Sequence, residues 1–287
     1  MRLAHFSDIH VTLSPLSEAA SELMGKRMAG TINYYVGGRS RHFKGVEARI
    51  ATLLEDVDAQ GVDHAVCTGD ITAMSTVAEF ARCAAIFGAR MQQPERYTVV
   101  PGNHDRYTPR AASEKYFEAH FSSLAGGTGT FPFIKRLAPG VTLIGLDPNR
   151  PTSMLDSSGL LGARQRSELR AMLTDPSLKS DFVVVALHYG ILRENGRPDA
   201  TSHGLEDYRE ALDILDSRDR HADLVLHGHT HKHYVVKAER TTMVCAGSAT
   251  DLHLRCGYHV YDVDPDRKTF TVQRRVWDVA AQRYTAL

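Results

Sequence analysis

LVLHGHTHKHYV, residues 224–235, carries an apolar run straight into four histidines at alternate positions, His227, His229, His231 and His233. A run such as DLVLH (223–227) is short and β-rich enough to be a buried strand. Open α/β sheets place their ligands beyond the C-terminal ends of strands. The reading therefore turns on whether other strands of the chain end in the same kind of chemistry.

Four do. LAHF (3–6) leads into Ser7-Asp8-Ile9-His10, and HAVCT (64–68) into Gly69-Asp70. YTVV (97–100) leads into Pro101-Gly102-Asn103-His104-Asp105, and FVVVAL (182–187) into His188. VTLIGL (141–146) is a further strand without such an ending. Between the first two strands, Val46, Ile50, Leu53, Leu54 and Val57 keep the spacing of an amphipathic helix. Further helices are expected over 76–88, 113–121, 162–173 and 205–217. In the tail, YHVYDV (258–263) and TFTVQRRV (269–276) flank the turn-forming DPDRK, which predicts an antiparallel hairpin. A mixed α/β sheet system follows. With no internal repeat and no long linker, 1–287 reads as one domain. Gly126, Gly127 and Gly129 lack the Gly-Lys-Ser/Thr of a phosphate-binding loop and read as a flexible connection.

Composition narrows the function classes. The 287 residues are 43% hydrophobic, enough for a large core, and 34 basic side chains balance 34 acidic ones. At zero formal net charge no overall field draws the protein to a nucleic-acid polymer or an anionic membrane. The first ten residues, MRLAHFSDIH, place an acid and two histidines where a signal peptide needs its apolar stretch, and no run reaches the ~18 apolar residues of a membrane span. A cytoplasmic protein is the expectation. Cys67, Cys83, Cys245 and Cys256 are scattered, which suits reduced core thiols better than disulfides or a thiolate zinc site. Association into a homo-oligomer is left open.

The five strand ends supply carboxylate, amide and imidazole, a set of hard oxygens and borderline nitrogens that suits Mn²⁺, Fe or Zn²⁺. Seven candidate ligands, Asp8, His10, Asp70, Asn103, His188, His229 and His231, are too many for one ion. Sharing one carboxylate gives each of two ions four protein ligands, the arrangement of two-metal hydrolases.

In this order, DxH, GD, GNHD, a lone His and GHxH resemble the calcineurin-like metallophosphoesterases, and in particular their bacterial phosphodiesterase-type (class III-like) branch. The motifs run from Asp8 to His231 and so cover most of the chain. The resemblance implies a four-layer α/β/β/α sandwich with two mixed β-sheets and a dinuclear site. It implies that Asp8, His10, Asp70 and His231 hold one ion and that Asp70, Asn103, His188 and His229 hold the other, with Asp70 as the bridge. In the GHxH motif the glycine precedes the first ligand, which selects His229 and His231 and leaves His227 and His233 as packed or surface side chains. Asp105 and His227 are the candidates for bracing a ligand from behind.

The reaction so implied is hydrolysis of a phosphate ester, with two divalent or mixed-valence ions lowering the pKa of a bound water, to ~7 in one zinc enzyme, so that hydroxide is the nucleophile. His104, not a ligand, is placed to assist the leaving oxygen. Departures exclude neighbouring branches. Ile71, Thr72, Ala73 and Met74 follow Asp70 where protein Ser/Thr phosphatases carry GDxxDRG; Ala73 stands where purple acid phosphatases have their tyrosine; and His104 stands where lipid A precursor pyrophosphatases have arginine. Substrate choice is expected in two insertions walling the cleft. Residues 11–44 carry Asn33, Tyr35 and Arg39, and 189–204 carry Arg193. These side chains suit a phosphorylated organic group, though a solvated loop reads much the same. A small-molecule phosphodiesterase is the reading, with a phosphomonoesterase, a nuclease of the same superfamily and a metal-binding scaffold as alternatives.

Overall fold

The structure, a computed structural model, describes residues 1–13, 45–153 and 156–287. Two six-stranded mixed sheets form its centre. The first contains β1 (Arg2–Phe6), β2 (His64–Cys67), β3 (Tyr97–Val99), β10 (Gly257–Asp264), β11 (Thr269–Asp278) and β12 (Arg283–Ala286), in the order β12-β11-β10-β1-β2-β3. The second contains β4 (Phe133–Ala138), β5 (Val141–Gly145), β6 (Phe182–Ala186), β7 (Leu224–His227), β8 (Tyr234–Lys237) and β9 (Thr242–Cys245), in the order β4-β5-β6-β7-β9-β8. In sheet one β1, β2 and β3 run parallel and β10 joins β1 antiparallel; in sheet two β5, β6, β7 and β9 run parallel between antiparallel edges.

The hydrophobic runs show how the layers stack. Along β6, Phe182, Val184 and Ala186 pack with β1, β2, β3 and α1 (Val46–Ala59). The alternate Val183 and Val185 pack against α5 (Gly162–Leu173) and α6 (Tyr208–Leu215). A strand buried on both faces has no polar face to show, which is why FVVVA is continuous rather than alternating. The apolar face of α1, with Ile50, Leu53, Leu54 and Val57 fully buried, covers sheet one together with α2 (Val77–Phe87). A capping box of Thr76 and Glu79 starts α2. Helices, sheet, sheet, helices is the four-layer arrangement expected.

The structure changes some boundaries. The single helix expected over 113–121 is two short ones, α3 (Pro109–Ser113) and α4 (Tyr116–Phe121), because Lys115 between them is left-handed at φ 55°. Strands β4, β8, β9 and β12 had no counterpart in the sequence reading. The tail hairpin forms as expected, β10 pairing β11 from Gly257↔Val276 to Asp264↔Thr269. All four cysteines are buried and free. Among the described residues no helix is long and apolar enough to cross a membrane.

Candidate metal centre

The loops after β1, β2, β3, β6 and β7 meet between the two sheets and bring all seven expected ligands together. Asp8, His10 and His231 offer one convergent group of donor atoms, and Asp8, Asp70 and His188 another. His231 Nε2 lies 3.3 Å from Asp8 Oδ1, and His10 Nε2 lies 3.7 Å from Asp70 Oδ2. The other oxygen of the same carboxylate, Asp70 Oδ1, lies 3.4 Å from His188 Nε2. Asn103 Oδ1 is 3.1 Å from His188 Nε2 and 3.0 Å from His229 Nδ1. Asp70 thus faces two donor clusters, one through each oxygen.

The backbone is bent to achieve this. Asp8, His10, Asp70, His229 and His231 all have positive φ, between 45° and 73°. For residues with a side chain this conformation costs about 1–2 kcal/mol each, and such strain gathers where function demands it. Two motif glycines are dictated by close approach. A Cβ on Gly102 would sit 2.1 Å from Asp70 Oδ1, and one on Gly228 would sit 2.0 Å from Ser7 Oγ and 2.4 Å from Asp8 Oδ2.

Each imidazole is held from behind, which fixes the nitrogen it offers. His188 Nδ1 donates to the Thr68 carbonyl at 2.8 Å and His10 Nδ1 to the Thr72 carbonyl at 3.3 Å. His231 Nδ1 donates to Asp251 Oδ2 at 3.3 Å, and His229 Nε2 to the His203 carbonyl at 2.7 Å. A carbonyl can only accept, so the opposite ring nitrogens carry lone pairs in the neutral rings. Those of His10 and His231 face each other at 3.0 Å, beside Asp8 Oδ1, which is buried without a hydrogen-bond partner. Lone pairs so arranged repel unless a cation lies among them. Hard oxygens, neutral imidazoles and an orphaned carboxylate oxygen are the donor set a divalent ion fits.

Electrostatics points the same way. Burial alone would raise the Asp8 and Asp70 carboxyls, yet neighbouring histidines, His231 for Asp8 and His188 for Asp70, hold both below the usual carboxylate range. Burial opposes a charge on His188, but the Asp70 carboxylate outweighs it and lifts its pKa to about 9, so the ring lies in the field of a buried anion.

His104 borders the same cavity, of about 370 Å³, with Asp70, Asn103, Ser157, Arg193, His203, His229, Thr230, His231 and Leu254. Its backbone N–H donates to Asp70 Oδ1 at 2.8 Å, its Nδ1 donates to the Ala73 carbonyl at 2.6 Å, and its ring stacks on Tyr107 at 5.0 Å. Asp105 braces loops rather than a ligand side chain. Its carboxylate accepts from the backbone N–H of Ile71, Thr72 and Gly102 and from Thr72 Oγ1, tying the Asp70 turn to the Asn103 turn. Burial, and after it the Asp70 charge, push its pKa up to about 7 against those donors. His227 does not brace a ligand among the described residues: its ring packs on Tyr234 at 5.4 Å and hydrogen-bonds the Gly228 carbonyl. Arg193 reaches the cavity, while Asn33, Tyr35 and Arg39 lie outside the described residues. The sequence reading missed Asp251, His203 as the partner of His229, and Tyr107.

Two mixed sheets carrying a carboxylate and imidazole centre at their strand ends are what the resemblance to the metallophosphoesterases implies. The chain belongs to the calcineurin-like phosphoesterase family, whose model matches residues 1–233. Three solved structures share the fold. A dimetal phosphatase from Danio rerio is 12% identical with a TM-score of 0.64, covering 96% of this chain and 94% of its own. TT1561 of Thermus thermophilus is 10% identical with a TM-score of 0.53, covering 94% and 97%. GAP50 of Plasmodium, described as the anchor in the inner membrane complex, is 9% identical with a TM-score of 0.52, covering 100% and 88%. No curated protein matches the sequence significantly.

Proposed function

We propose that the chain is a metal-dependent phosphodiesterase acting on small phosphorylated molecules. Asp8, His10, Asp70 and His231 hold one ion, Asp70, Asn103, His188 and His229 hold a second, and the ions are Mn, Fe or Zn. When bound, two such ions would neutralise charge on the phosphoryl oxygens and make hydroxide available near neutral pH.

The chain's own residues do the rest. Asp70 is fixed by the His104 backbone N–H, so the two ligand groups keep their relative position when substrate arrives. His104 has Nδ1 committed to the Ala73 carbonyl, so proton exchange with the substrate falls to Nε2. Its role is to give a proton to the leaving oxygen, which an alkoxide needs far more than a phenoxide does. The Tyr107 ring beneath it keeps the imidazole from swinging away. GAP50 shows that this fold also serves an anchor, so the fold alone does not argue for catalysis. What argues for it is the full ligand set together with a non-ligand histidine at the cavity.

The observation that carries the diester reading is the extent of the cavity. Besides the ligands it is lined by Arg193 and His203, the latter beside His229, and by Leu254, on the turn whose Asp251 holds His231. A monoester has one organic arm to place there and a diester has two, so the second arm adds binding. The manganese-loaded protein is therefore expected to show higher kcat/KM on bis-nitrophenyl phosphate than on nitrophenyl phosphate. The opposite order would make it a phosphomonoesterase, and cleavage of single-stranded DNA in preference to both would make it a nuclease.

A further inference from the structure

Three of the four ligand histidines are held from behind by groups anchored in the body of the fold: the Thr68 and Thr72 carbonyls beyond β2, and Asp251 beyond β9. His229 is held by the His203 carbonyl, and the His203 ring lies over its own at 4.1 Å. His203 belongs to the segment 189–204, which contains neither helix nor strand. Something local must therefore fix that carbonyl.

Asp199 does so. Its Oδ2 accepts from His203 Nδ1 at 2.8 Å, and its Oδ1 accepts from Arg193 Nη1 and from the Ala200 backbone N–H, both at 2.8 Å. The carboxylate is 8% exposed although the segment lies at the surface. The turn closes through the His203 and Gly204 N–H groups, which both donate to the Ala200 carbonyl. It is pinned to the neighbouring loop by Ser157 N–H to the Ser202 carbonyl and Gly159 N–H to the Gly204 carbonyl.

We propose that Asp199 is a positioning residue for the second metal subsite, formed by Asn103, His188 and His229. By locking the turn 199–204 it holds the His203 carbonyl against His229 Nε2–H, and so keeps the Nδ1 lone pair directed into the centre. The inference rests on the two-ion reading above. Release of Asp199 frees the His203 and Arg193 side chains together, and the carbonyl loses its fixed place. The His229 ring can then carry its proton on Nδ1, a form that offers the centre no lone pair from that nitrogen. The hydrogen bonds that hold this turn involve none of Asp8, His10 and His231.

The test is metal binding to the stripped protein, titrated with Mn²⁺ by calorimetry and followed by EPR, which separates a lone ion from an exchange-coupled pair. In Asp199→Ala one ion is expected to bind as in wild type and the other ~10- to 100-fold more weakly, the cost usual for removing a partner behind a ligand. The coupled signal then appears only at higher Mn²⁺. Asp199→Asn, which keeps the shape and one acceptor, is expected to fall between and serves if the alanine variant does not fold. Affinities for both ions unchanged in the variants, or an equal loss at both subsites, overturns the proposal. A wild-type protein that takes up fewer than two ions overturns the two-ion reading and this inference with it.

Discussion

Asp70 faces both ligand clusters only because residue 102 has no side chain, and the two positions can be tested apart. Asp70→Asn keeps the shape and halves the charge-bearing oxygens, so it is expected to bind less metal and lose nearly all activity, as elemental analysis and an assay on the same sample would show. Two full equivalents in that variant would remove Asp70 from the bridging role. In Gly102→Ala the new methyl meets the Asp70 backbone N at 2.3 Å as well as its carboxylate, so rotation of the Asp70 side chain cannot relieve it. The same loss of metal is expected without any ligand being changed. His104→Ala should keep both ions and lose ~10²- to 10⁴-fold on an alkyl phosphodiester but only modestly on a nitrophenyl ester. Equal losses on the two would mean that His104 binds phosphate rather than serving the leaving group. At this scale the sequence was informative about the donors, since Asp, Asn and His after strands have a recognisable spacing. It was silent on what stands behind them, because Thr68, Thr72 and His203 act through carbonyl oxygens that every residue owns. Asp251, the one partner that acts through a side chain, sits in a loop where an acid also serves as a turn former.

Elements were legible in proportion to how much of them is buried. Strands β1, β2, β6 and β7 read as continuous apolar runs because both their faces are covered. Strand β4, FIKRLA, keeps only Phe133 buried and lies at a sheet edge, so its composition resembles a loop. Strand β8, with only Val236 buried, also resembles a loop, while β9, buried over Met243, Val244 and Cys245, departs from that rule. Strand β2 carries a testable consequence. His64 donates from Nδ1 to the Glu95 carbonyl and accepts at Nε2 from Thr98, both at 2.8 Å, and burial lowers its pKa to about 4. The fold therefore favours the neutral ring, so this contribution to stability is complete above the unfolded value near 6.5 and is lost as pH falls from there toward 4. Urea unfolding at pH 7 and pH 5 should show the wild type losing more stability on acidification than His64→Gln. The difference should approach about 1.4 kcal/mol per pH unit within that window. Identical slopes would mean that His64 is not held neutral.

Across the whole molecule the proposed ligand set divides between the sheets: Asp8, His10, Asp70 and Asn103 follow strands of sheet one, and His188, His229 and His231 follow strands of sheet two. Metal binding is therefore expected to stabilise the pairing of the sheets as well as the loops. A ligand at 100 times its Kd adds about 2.7 kcal/mol. Calorimetry should show a lower Tm after chelation and its recovery with Mn²⁺; a Tm indifferent to both would argue against a centre that joins the halves. That the sheets are two, and face each other, was legible only through the resemblance, since nothing in a strand's own residues states which sheet it enters. The order of strands in sheet one also bears on how the protein is made. β1 lies between β2 and β10, with Leu3 opposite both His64 and Tyr261. β1 leaves the ribosome before β10, so until β10 follows one edge of β1 has no neighbour. A nascent chain stalled before residue 257 holds Asp8 and His10 at the end of an open strand, a species for chaperones to cover rather than an enzyme.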